Sequence, residues 1–144
     1  MPSGRSNLEN LARAKQLNAE PPDEREIANL LAAADGFLRD AQRPDNSVNS
    51  RFSLAYNAAH SLALAALRSA GFRPSSSGHR RILFQTLEFT AGASQQLWLA
   101  LAQHHDRRNK IEYEGNVPSG TEAKDLIELV SELQALVVKR VKRS

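Results

Sequence analysis

Between Ser47 and Ala70 apolar residues recur in two stripes, Phe52, Tyr56, Ala59, Ala63, Ala66 and Ala70 on one and Leu54, Ala58, Leu62 and Ala65 on the other. Spacings of three and four place each stripe on a helix face. A helix apolar on two sides is expected to be central, with neighbours on both. Its alanines allow those neighbours to come close. Ser53, Asn57, His60, Ser61 and Arg68 fall within a third, narrow arc at about 100° per residue, so this central helix also carries a polar edge.

The flanking segments follow the same rule. Ser6 with Glu9 reads as a capping box that opens a short helix to about Leu17, ended by Asn18 and the Pro21-Pro22 pair. Asp23 caps a helix to about Gln42 whose stripe is Ile27, Leu30, Leu31, Ala34, Leu38 and Ala41. Arg43 to Asn46 forms a turn, and Gly71 ends the central helix. After the loop from Arg73 to Gly78, a shorter helix runs from about His79 to Phe89. Another spans about Ser94 to Tyr113, broken by the Gly115 to Pro118 segment. Ser119 with Glu122 is a second capping box. The last helix, about Thr121 to Lys142, carries Leu126, Val130, Leu133, Val137 and Val141 as a heptad-like seam. No alternating strand pattern and no internal repeat is present. The expected fold is all-α: an antiparallel up-and-down bundle of four to five helices at 21–144, preceded by a short N-terminal helix and linker at 1–20.

Composition narrows the class of function. The 144 residues, with 41% hydrophobic and 24% charged, suit one globular domain with a buried core. No apolar run approaches the roughly 20 residues of a bilayer span, and the N-terminus lacks a secretory apolar stretch, so a cytoplasmic protein is the expectation. The absence of cysteine excludes disulfides, thiolate metal sites and cysteine nucleophiles. A formal charge of +3 looks like a nucleic-acid signal until it is located. Lys139, Arg140, Lys142 and Arg143 supply four of the 19 basic residues, and the remainder is 15 basic against 16 acidic. A nearly neutral body argues against electrostatic duplex binding, and the basic tail suits the negative end of a helix dipole.

The densest cluster of reactive groups is His104 to Gly115. Leu97 and Leu101 begin a buried stripe that continues through His104 and Arg108 to Ile111, so an apolar face turns polar while still pointing inward. An inward arginine requires a partner or a ligand. Glu112 stands four residues on, where an ion pair along the helix would form, and Asn57, His60 and Ser61 offer further hydrogen bonds. Two readings follow. Arg108 is either a clamp joining two helices and a loop, or a binder of phosphate or nucleotide. The adjacent His104 and His105 cannot face one point, so no metal site is expected, and no cofactor motif occurs.

Two segments, Arg51 to Arg68 and Arg108-Asn109-Lys110-Ile111-Glu112-Tyr113, resemble the HEPN superfamily (higher eukaryote and prokaryote nucleotide-binding domains) over about 21–142. The resemblance implies a helical bundle, commonly a homodimer, from bacterial defence or toxin–antitoxin loci, in some cases paired with a minimal nucleotidyltransferase. Many members are metal-independent ribonucleases with an arginine, four to six intervening residues and a histidine. Arg108 matches the arginine and Asn109 the polar residue after it, while Tyr113 stands where the histidine is expected. RNA cleavage needs a base for the 2′-hydroxyl and an acid for the leaving oxygen, roles suited to imidazole rather than to a phenol of pKa near 10. His104 or His60 would have to substitute. The resemblance therefore implies a domain that binds RNA, a nucleotide or a protein partner through Arg108, Asn109, Glu112, His104, His60 and Asn57, without strong catalysis. The alternatives are an endoribonuclease toxin using Arg108 and Tyr113, and a purely structural dimeric module.

Overall fold

A computed structural model describes residues 4–76 and 80–143, except for the side chains of Arg80, Glu112 and Arg143. The protein is an all-α bundle with one minimal strand pair: α1 (Gly4–Arg13), β1 (Leu17–Ala19), α2 (Glu24–Ala41), α3 (Val48–Ser69), β2 (Phe72–Pro74), α4 (Arg80–Gln85), α5 (Leu87–Thr90), α6 (Gln95–Glu114) and α7 (Gly120–Arg143). None of the described helices is long and apolar enough to cross a membrane.

The helix ends follow from side-chain chemistry. Asp23 accepts from the amides of Arg25 and Glu26 at the start of α2, and the Ser47 hydroxyl accepts from Ser50 at the start of α3. These groups satisfy amides that have no partner within the helix. Ser94 accepts from the Leu97 amide at the start of α6, and Gly115, at φ 71°, ends that helix in the left-handed region. Ser119 and Glu122 form the expected reciprocal box, each side chain accepting from the other's amide at 3.1 Å.

As its two stripes predict, α3 is central and packs chiefly against α2 and α7. Phe52, Ala55, Tyr56, Ala59, Leu62, Ala63 and Ala66 are all buried in the core. The seam of α7 joins them through Leu126, Val130, Leu133 and Val137. Alanine on α3 lets both neighbouring helices approach closely along its length.

Four expectations are corrected. The first helix is already under way at Gly4 and ends at Arg13, so Ser6 lies within it and opens nothing. Residues 17–19 then pair antiparallel with 72–74, Leu17 opposite Pro74 and Ala19 opposite Phe72. Three residues are too few to show alternation, and the pairing is held by tertiary contacts (Leu17 and Phe72 are both buried). Leu8 and Leu17 belong to the same core cluster as the bundle, so the leading segment is a strap over the core rather than a linker. The short helix expected over 79–89 is divided at Thr86, whose buried hydroxyl donates to the Leu83 carbonyl at 2.6 Å and competes with the amide four residues on. The start expected at His79 lies outside the described residues.

Arg68 is the fourth correction. The sequence groups it with the polar edge of α3, but its side chain is 1% exposed. Its guanidinium pairs with Glu26 at 2.5 Å and Glu20 at 3.1 Å, and donates to the carbonyls of Glu20, Pro21 and Phe72. Arg73 bridges the same two carboxylates from outside. Hydrogen bonding by Arg73 and Arg68 holds the Glu26 carboxyl below the usual range. This network ties the β1–α2 connection to the end of α3 and to β2.

Candidate functional site

Two turns and more before Arg68, the same polar edge opens into a crevice of about 250 Å³ lined by Phe37, Tyr56, Asn57, His60, Ser61 and Arg108. The residues of α3 form its floor, with Phe37 of α2 and Arg108 of α6 as its walls. Arg108 lies with its guanidinium carbon 4.6 Å from the centre of the Tyr56 ring. That geometry is a cation–π contact, strengthened because the ring beneath is withdrawn from water (Tyr56 is 1% exposed). The Tyr56 hydroxyl and Nδ1 of His105 share a hydrogen bond of 2.8 Å, and the two rings stack at 5.9 Å. Phe84 of α4 meets the Tyr56 ring edge-on at 6.2 Å. The ring is therefore fixed in plane and in tilt before it meets the arginine.

Neighbouring residues on α6 diverge because each step rotates by about 100°. Arg107 turns toward α7, pairing with Glu122 through Nε at 2.6 Å and donating to the Val117 carbonyl at 3.4 Å. The Arg107 hydrogen bond holds the Glu122 carboxyl below its ordinary range, and the same bond raises the Arg107 pKa. Arg107 thus clamps α6 to α7 and to the loop between them, the kind of role considered for Arg108. His104 packs its ring against Phe52 at 5.9 Å, and burial lowers its pKa despite the opposing pull of Glu122 and Asp125. It is kept neutral near pH 7, outside the crevice.

The expected site residues thus separate. Arg108, His60, Asn57 and Ser61 meet in one crevice. His104 and Arg107 face the α7 side. Asn109 is half-buried on α6 and does not line the crevice, and the Glu112 side chain lies outside the described residues. Tyr113 is 85% exposed on the last turn of α6 and is not brought to Arg108. The sequence reading missed Tyr56 as a site residue because its spacing places it on an apolar stripe, and it missed Phe37 altogether. No local signal marks either, since their role depends on which helices flank α3. Among the described residues no group of three or more histidine, aspartate or glutamate side chains is placed to hold a metal ion.

A larger crevice, about 490 Å³, lies near the C-terminal end of α3 between α2 and α7, with Ile27, Ala28, Leu31 and Val141 along its wall. It is mainly apolar and brings together neither arginine nor histidine. The Arg108 crevice is the better candidate because a fixed cation, an imidazole, an amide and a hydroxyl converge there with aromatic walls.

No protein-family model, no curated protein and no solved structure matches this chain.

Proposed function

We propose that this protein is a HEPN-like domain that binds RNA or a nucleotide through a phosphate seated on Arg108, without strong catalysis. The observation that carries the reading is the crevice itself, in which a guanidinium stacked on a buried ring stands among Asn57, His60 and Ser61. Guanidinium matches phosphate oxygens in a planar, two-point geometry, and amide and hydroxyl groups complete the shell around such an anion. Phe37 offers an apolar wall on which a base or sugar can rest. At about 250 Å³ the crevice suits one phosphate and part of its nucleoside rather than an enclosed dinucleotide. The near-neutral body agrees with recognition of a short single-stranded element and not with duplex binding. Dimerisation, a toxin–antitoxin or defence role and a nucleotidyltransferase-type partner extend the same resemblance as parts of this proposal.

Isothermal titration of wild type and Arg108→Ala with short RNAs and mononucleotides tests the ligand. Loss of one phosphate contact should weaken binding at least tenfold, equivalent to about 1.4 kcal/mol. Equal binding by both proteins, or none by either, rejects the phosphate reading and leaves the domain as a protein-binding module.

The crevice position of His60 favours a second reading, a metal-independent endoribonuclease in which His60 replaces the missing motif histidine. An imidazole within the crevice is the group able to take a 2′-hydroxyl proton near pH 7 while Arg108 stabilises the phosphorane. This reading expects RNA fragments with 2′,3′-cyclic phosphate ends in the presence of chelator, lost in His60→Gln. Intact RNA after prolonged incubation rejects it.

A further inference from the structure

An aromatic face beneath a guanidinium sets the plane of its N–H fork. The two arginines that follow one another on α6 meet different neighbours. Arg107 is held by its donors, on Glu122 and Val117. Arg108 is laid on a ring, 4.6 Å from its centre. The ring in turn is braced by residues that do not line the crevice: His105, through the 2.8 Å hydrogen bond, and Phe84, through its edge-on contact.

From this arrangement we infer that Tyr56 is a positioning residue for ligand binding, its ring setting the plane in which Arg108 presents its guanidinium fork, with His105 locking the ring. The inference deepens the phosphate reading above and rests on it for the nature of the ligand. It adds a specificity: the site selects two-point oxyanions, phosphate or carboxylate, over ligands recognised by charge alone. A flexible lysine would restore the charge without the stack or the fork, so Arg108→Lys is expected to behave like Arg108→Ala. It also divides the labour on Tyr56. The ring does the positioning, and the hydroxyl only limits its tilt. Tyr56→Phe keeps the larger part of binding, about threefold weaker than wild type, while Tyr56→Leu, which keeps apolar bulk but no π-face, loses tenfold or more.

A double-mutant cycle separates positioning from mere packing. Binding of a fluorescein-labelled ten-uridine RNA is measured by anisotropy for wild type, Tyr56→Leu, Arg108→Ala and the double variant, with inorganic pyrophosphate as the competing two-point anion. Circular dichroism confirms that each variant folds. Positioning requires Tyr56→Leu to weaken binding in the wild-type background and to have no further effect in the Arg108→Ala background. Equal losses in both backgrounds overturn the inference even where the phosphate reading survives. A ligand-free measurement tests the stack independently. The Nε and Cδ protons of Arg108 should resonate upfield of those of the other arginines, in wild type and in Tyr56→Phe alike. Ordinary shifts in wild type overturn the inference, whether or not RNA binds. Absence of RNA binding by wild type alongside the upfield shift overturns the phosphate reading alone.

Discussion

Replacing Arg68 by methionine keeps most of the side-chain volume and removes the polar contacts that its guanidinium makes at the junction of α2, α3 and the strand pair. The carbonyls of Glu20, Pro21 and Phe72 lose their donors, which lie 3.1, 2.7 and 3.2 Å away. A buried acceptor left without a donor costs about 1–3 kcal/mol, and the lower end applies where water gains access from the exposed Glu20–Pro21 side. Arg73 remains to hold both carboxylates, so no unpaired charge is stranded. The sum is about 3–4 kcal/mol, within the range seen when one partner of a buried pair is removed. For a domain of this size that corresponds to roughly 10 °C in Tm. Urea unfolding followed by far-ultraviolet circular dichroism measures it directly as a lower midpoint at unchanged slope. Arg73→Met serves as the internal control: it removes pairs to the same carboxylates from the half-exposed outer side, where pairing contributes little. A loss below about 1 kcal/mol for Arg68→Met, or a larger loss for Arg73→Met than for Arg68→Met, would refute the assignment of stability to the buried guanidinium and its carbonyls.

Two further perturbations address other parts of the fold. Burial depresses the His104 pKa, so below about pH 6.5 the unfolded chain takes up a proton that the folded one resists, and stability falls as the pH drops from there to the folded value. His104→Gln should flatten that part of a urea midpoint-against-pH curve, and an unchanged slope counts against a buried neutral ring. Ser119→Ala removes one half of the α7 capping box and is expected to cost about 1 kcal/mol in the same unfolding assay, with no effect on RNA binding.

The helices were legible in the sequence because their causes are local. Asp23, Ser47, Ser94 and the Ser119–Glu122 pair each act on amides within one turn, and the stripes of α3 and α7 report burial at a fixed period. The inward aim of Arg108 followed from the same period, counted from Leu97 and Leu101. Which arginine does what did not follow. Arg107 and Arg108 differ by one step of rotation, and Arg68 shares its arc with Asn57 and Ser61, yet one becomes a clamp, one a crevice wall and one a buried hub. Those outcomes depend on Glu122, Tyr56 and the Glu20–Pro21 carbonyls, which lie 15 to 52 residues away along the chain and reach the arginines only once α2, α6, α7 and the strap have docked. Periodicity specifies the direction in which a side chain leaves its helix, and tertiary packing alone decides what waits for it there.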